Sequence, residues 1–165
     1  MAETQVEIEY NEGKGAFKVV LTASSLEVFT QAAQQQDILL KEGEDLVAAL
    51  LAHAKGAISS VERYKNGQRN DGVNGEPAIQ KFHDNLKLVY VRLYQDGKLN
   101  DGVNGEPAIQ DYSDGRFSFA ASYKDGREVK SLSGEEKAKC QETVNNNKLA
   151  ALQKVFWGKL KIKNP

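Results

Sequence analysis

Eleven consecutive residues, Asn70-Asp71-Gly72-Val73-Asn74-Gly75-Glu76-Pro77-Ala78-Ile79-Gln80, return without change as Asn100 to Gln110. Chance does not copy eleven positions, so the middle of the chain must fold as two equivalent units. The copies are framed by Tyr64-Lys65-Asn66-Gly67, Tyr94-Gln95-Asp96-Gly97 and Tyr123-Lys124-Asp125-Gly126, at spacings of 30 and 29. Each ends in the Asn-Gly or Asp-Gly pair that supplies positive φ to a type I′ turn, the tight connection whose twist matches antiparallel strands. From about Arg63 to Lys130 the sequence therefore predicts a tandem β-hairpin repeat.

Within each unit the loop leads to a short strand (Ala78 to Phe82, then Ala108 to Tyr112). A tight turn comes next (His83-Asp84-Asn85, then Ser113-Asp114-Gly115), and then a longer strand (Leu86 to Tyr94, then Arg116 to Tyr123). Such an order gives an antiparallel meander. In the longer strand of the first unit Leu86, Leu88, Tyr90 and Arg92 alternate with Lys87, Val89, Val91 and Leu93. Apolar residues on both faces place that strand centrally in the sheet.

The flanks read differently. Val6, Ile8 and Tyr10, then Phe17, Val19 and Leu21, alternate with polar residues as two half-buried strands joined by Asn11-Glu12-Gly13-Lys14-Gly15. Ser24 and Glu27 have the spacing of a capping box opening a helix from about Ser25 to Gln35. After the apolar run Ile38 to Leu40, a second helix is expected from Glu44 to Lys55, with acids at its start and His53 near its end. Ser133 and Glu136 form another capping box, before a helix through Ala138, Cys140 and Val144 that Asn145-Asn146-Asn147 can break. Leu149, Leu152, Val155 and Phe156 continue an apolar helical stripe to Gly158, and Leu160 and Ile162 alternate with Lys159, Lys161 and Lys163 as a short final strand. Lysines in that pattern protect a sheet edge.

The expected fold class is α+β in one domain of residues 1–165. It comprises an N-terminal ββαα region (1–57), an antiparallel β-sheet of tandem β-hairpin repeats (58–131), and a C-terminal helix with a short strand (132–165). With 40% hydrophobic and 27% charged residues the composition is that of a soluble globular protein, and no apolar run reaches the length of a membrane span. The start of the chain lacks a secretory pattern and Cys140 is the single cysteine, so the cytoplasm is the expected compartment. Charge is uneven: residues 1–63 carry ten acids and five bases, and residues 132–165 carry three acids and seven bases. Such asymmetry is either an electrostatic footprint for a partner or, as is expected here, a sign that the two ends lie side by side and compensate.

The central units resemble the MORN-like family, in the bacterial and phage variety whose units run Asn-Gly-Lys, a polar stretch, Asp-Gly-Pro-Ala-Val and a Tyr/Asp-Gly turn. The matching pieces are Asn66-Gly67-Gln68, Asn74-Gly75-Glu76-Pro77-Ala78-Ile79 and Tyr94-Gln95-Asp96-Gly97, then Asp96-Gly97-Lys98, Asn104-Gly105-Glu106-Pro107-Ala108-Ile109 and Tyr112 to Gly115. The units here are longer, and Glu76 or Glu106 stands inside the Gly-Pro pair. The resemblance covers about two fifths of the chain and implies a β-hairpin stack used for structure or partner binding, with no catalytic residues to transfer.

Catalytic chemistry has little to work with. There are two histidines, His53 and His83, and no nucleophile-elbow, phosphate-loop or zinc-protease motif. His53 suits a helix C-terminus, His83 a turn, and Cys140 a packing position on a helix. Asp71, Asn74 and Glu76, with Asp101, Asn104 and Glu106, offer oxygen ligands, but their spacing is not that of an EF-hand. No metal or other cofactor is expected. Turn chemistry demands residue types, whereas identity that includes Val73 and Val103 goes further: either the duplication is recent, or both loops meet a partner.

The functional expectation is therefore a non-enzymatic protein-binding module. Its contacts would be Asn70, Asp71, Val73, Asn74 and Glu76 with Asn100, Asp101, Val103, Asn104 and Glu106. Inhibitors and adaptors of phages and mobile elements, including anti-defence proteins of the anti-CRISPR type, are often chains of this kind. One alternative is a nucleic-acid-binding accessory protein using Lys154, Lys159, Lys161 and Lys163 around Phe156 and Trp157. Another is a small hydrolase assembled from distant residues.

Overall fold

Alternation in the first 23 residues produces an antiparallel pair, β1 (Thr4–Glu12) and β2 (Gly15–Ala23), in which Val6, Ile8 and Tyr10 stand opposite Leu21, Val19 and Phe17. The computed structural model describes residues 3–13, 15–54, 57–83 and 87–142. Tyr10 and Phe17 stack with ring centroids 5.2 Å apart, which fixes the register near the turn. The first helix, α1 (Leu26–Ala33), is capped by Ser25 and not by Ser24 as its spacing from Glu27 suggested. Ser25 has extended backbone and accepts from the Val28 amide, while the Ser24 hydroxyl donates to the Ala57 carbonyl and is engaged elsewhere. The apolar run at 38–40 forms part of a one-turn helix, α2 (Gln36–Leu39), so three helices follow the hairpin where two were expected. The third, α3 (Gly43–His53), carries Glu44 and Asp45 in its first turn and His53 in its last, as the dipole favours.

These helices cover one face of the N-terminal strands. Leu21, Val47 and Val61 are fully buried, with Val19, Phe29, Ile38, Leu50 and Ile58 around them. Each contributes roughly 1.5–3 kcal/mol by leaving water. The strand that carries Val61, β3 (Ile58–Lys65), pairs with β2 so that Val19 faces Arg63.

The remaining strands are β4 (Gln68–Arg69), β5 (Ile79–Phe82), β6 (Leu88–Arg92), β7 (Tyr94–Gln95), β8 (Lys98–Leu99), β9 (Ile109–Ser113), β10 (Arg116–Lys124) and β11 (Arg127–Ser131). The main sheet runs β1-β2-β3-β5-β6-β9-β10-β11, every pair antiparallel, with β4 folded back on β3 and β7-β8 a separate two-stranded ribbon. The fold is thus α+β with a dominant antiparallel sheet. β6 lies between β5 and β9, while its residues other than Val91 are only half-buried.

Asn66, Asp96 and Asp125 have φ near 50°, each followed by a glycine near 80°, the geometry of type I′ tips. The residues just past each tip decide the path. Three and four residues after Gly67 and Gly97 stand Asn-Asp pairs, and there the chain leaves the hairpin as a loop. After Gly126 the same positions hold Val129-Lys130, and the chain stays in β11. A residue pair that binds backbone turns the chain outward; a pair that does not, led by the β-branched Val129, leaves it in the ladder.

Among the described residues a fourth helix, α4, covers 134–142. Its capping box is realised: the Glu136 amide donates to Ser133 Oγ at 3.2 Å and the Ser133 amide to Glu136 Oε1 at 3.3 Å. Gln141 Oε1 accepts from the Phe117 amide at 3.1 Å, docking α4 onto β10. The expected continuation through Val144, the stripe from Leu149 to Phe156 and the strand around Leu160 and Ile162 lie outside the described residues. Among those described, no helix is long and apolar enough to cross a membrane.

Candidate functional site

Both copies of the eleven-residue stretch lie over the sheet between a hairpin tip and the next strand, and their polar side chains bind backbone. Asp71 Oδ1 accepts from the Ala78 amide at 2.9 Å, within its own unit, and from the Tyr94 amide at 3.0 Å, in the next. Asp101 Oδ1 does the same with Ala108 at 2.9 Å and Tyr123 at 3.0 Å. Asn70 Oδ1 accepts from the amide of Asp96 at the next tip, and Asn100 Oδ1 from that of Asp125, at 2.8 and 3.0 Å. Each Asn-Asp pair is a staple from one unit to the one after it.

The other positions have tasks too. Glu76 Oε2 accepts from the Asn74 amide at 2.9 Å and Glu106 Oε2 from the Asn104 amide at 3.0 Å, so each carboxylate folds back inside its own loop. It lies so close over Gly72 or Gly102 that a Cβ at either position would collide with it. Ala78 and Ala108 are fully buried. Of the ten expected contact residues, Asn70, Asp71, Glu76, Asn100, Asp101 and Glu106 thus use side-chain oxygens to build the loops. Val73, Asn74, Val103 and Asn104 remain on the surface, Val103 with 87% of its area exposed against 36% for Val73.

Beneath the first loop is a buried polar cluster that sequence patterning does not reveal. Arg63, 4% exposed, holds Glu44 of α3 through two bonds, Nε to Oε1 at 2.8 Å and Nη2 to Oε2 at 3.0 Å. Its Nη1 donates to the Pro77 carbonyl at 2.8 Å and to Gln80 Oε1 at 3.0 Å. Tyr10 adds its hydroxyl to Glu44 at 3.1 Å, and burial together with that carboxylate pushes its pKa up. In the second unit Leu93 stands where Arg63 does. There Gln110 itself donates to the Pro107 carbonyl at 2.9 Å, and the Tyr112 hydroxyl donates to Gln110 Oε1 at 2.7 Å. The first unit has Phe82, without a hydroxyl, at the position of Tyr112. Arginine with phenylalanine, and leucine with tyrosine, are two solutions to satisfying the same glutamine and proline carbonyl.

Electrostatics separate the loops as well. Burial, opposed by its two amide donors and by Arg63, raises the Asp71 carboxyl from 3.8 to about 7. Cys140 is not primed as a nucleophile: burial, Glu136 and Asp101 all push its thiol up. Among the described residues no three His, Cys, Asp or Glu side chains are grouped to hold a metal ion. A groove of about 620 Å³ near the first hairpin turn is lined by Tyr10, Phe17, Lys18, Tyr64 and Asn66 among others, and contains neither histidine. His53 ends α3, and His83 follows β5 with its amide on the Lys87 carbonyl. Compared with protein-family models, curated proteins and solved structures, the chain matches none.

Proposed function

We propose that the chain is a non-enzymatic protein-binding module built of tandem β-hairpin units of MORN-like type. In this reading the N-terminal helices cap one end of the stack, and the second loop faces the partner. The observation that carries this reading is the contrast inside loop two. Its Asn100, Asp101 and Glu106 hold backbone in place, while Val103, held by nothing comparable, projects into solvent at 87% exposure. An exposed aliphatic side chain on a stapled loop loses little entropy when covered, which suits a contact with a partner. Inhibition of a host protein by a phage or mobile element, as anti-CRISPR proteins do, is the biological setting we infer.

The test is affinity capture with nuclease treatment, comparing the native chain with V103D and with N104D, each first shown to melt as the native chain does. A nuclease-resistant protein partner lost from V103D supports the reading. An unchanged partner list from both variants overturns it, and a partner removed by nuclease favours the basic-tail alternative.

A further inference from the structure

Among the described residues no strand pairs with the outer side of β1, which is the first strand of the sheet. Its nine residues pair with β2 throughout without a bulge, and it contains neither proline nor lysine; its charges are Glu7, Glu9 and Glu12, which repel an acidic strand and favour a basic one. Val6, Ile8 and Tyr10 are only half-buried although they pack against the core, so apolar surface borders the unfilled edge. On the opposite face Glu7 and Glu9 are exposed, and Glu12 ends the strand. Lys18 approaches Glu7 at 3.8 Å, but both side chains are largely in water and the pair neutralises little.

A strand added to this edge is best matched when it alternates apolar residues with lysines or arginines. One stretch of this chain does so: Lys159-Leu160-Lys161-Ile162-Lys163. We propose that this segment adds to the edge of β1 of its own chain. Leu160 and Ile162 extend the apolar row of Val6, Ile8 and Tyr10, and the lysines lie beside Glu7 and Glu9. The tail then covers the β1 edge, and the acidic and basic ends of the chain meet.

Reach allows it. From β10, where α4 docks, to a strand outside β1 is seven steps in the order of the sheet, about 34 Å at ~4.8 Å a step. The sixteen residues 143–158 span up to about 53 Å when extended. Tethering favours the chain's own tail over a second copy's through its high effective concentration.

Hydrogen exchange along β1 reads this directly, because alternate amides of an edge strand point away from their only neighbour. In the full chain the outward amides of β1 should exchange at least tenfold more slowly than in a chain ending at Gly158. The inward amides, bonded to β2, should stay protected in both and so report that the sheet is folded. K159E/K161E/K163E should release the outward amides, and adding E7K/E9K should restore their protection. Equal exchange of the outward amides with and without the tail overturns the proposal. Protection that grows with protein concentration, with a doubled mass in sedimentation, also overturns it and assigns the edge to a second copy.

Discussion

Units one and two share eleven identical residues, yet they solve one hydrogen-bonding problem with different chemistry. In both, a proline carbonyl and a glutamine side chain sit under the loop and need donors. Unit one imports a charge: Arg63 serves Pro77 and Gln80, and Glu44 of α3 neutralises it. Unit two stays neutral: Gln110 serves Pro107, and Tyr112 serves Gln110. The difference comes from position. Unit one borders the helical region, and its arginine also ties α3 to the sheet. Unit two lies beyond unit one in the sheet, and there Leu93 completes a small apolar cluster with Val91, Ala108 and Tyr112. The copied segment is thus one part of the structure, and the residues around it decide how it is used.

The sharpest way to break the comparison is to give unit one the residues of unit two. R63L alone should cost about 3–5 kcal/mol in a urea denaturation, because it strands the Glu44 carboxylate, 9% exposed in its side chain, and takes donors from Pro77 and Gln80. R63L/E44L/F82Y, which removes the stranded charge and supplies the hydroxyl, should recover most of that loss. If the triple variant is no more stable than R63L, the two arrangements are not interchangeable.

The next largest effect lies in the staples. D71A should cost about 2–3 kcal/mol, since two amides lose their acceptor in a half-buried setting. D101A should cost less, about 1–2 kcal/mol, because Asp101 is exposed and water can replace its oxygen. Asp71 also makes stability depend on pH. Its folded pKa of about 7 lies above the ordinary 3.8, so between these values the folded state keeps a proton that the unfolded chain releases. Its contribution is therefore complete below about pH 4 and is lost as pH rises through about 7. Urea midpoints of the native chain should carry this decline and those of D71N should lack it; identical profiles would place the titration elsewhere.

How much of this is legible in the sequence depends on the reach of each feature. The type I′ tips, the strand alternation and the capping box at Ser133 depend on residues close in the chain, and local chemistry announces them. Ser24 shows the limit: it and Ser25 are equally good caps, and only the long-range bond from Ser24 to Ala57 decides between them. The duplicated loop is visible as a duplication but not as a set of staples, because the partners of Asp71 and Asn70 are amides 23 and 26 residues away. In the sequence Arg63 is one more charge in an alternating strand. The exchange of arginine with phenylalanine for leucine with tyrosine emerges once the units are aligned, but its meaning requires the buried glutamine between them.

A smaller effect is expected in unit two. Y112F should cost about 1–2 kcal/mol, since the buried Gln110 Oε1 loses the donor that the first unit does without. F82Y in the native background should gain nothing, because Arg63 already fills Gln80 Oε1. A gain would mean that the glutamine has room for both donors and that the two arrangements are additive.

The smallest effect is at the two valines, and it separates structure from recognition. Val73 keeps 36% of its area exposed and Val103 keeps 87%, so V73A removes more buried surface than V103A. V103A should change stability by less than about 0.5 kcal/mol and V73A by somewhat more, both read as urea midpoints. If Val103 has a folding role, resting a methyl over Gly75 of the first loop, V103A should match or exceed V73A. If its role is recognition, V103A leaves stability intact and weakens a captured partner, while V73A does the reverse. In the second case, what keeps valine in both copies is folding in the first loop and contact in the second.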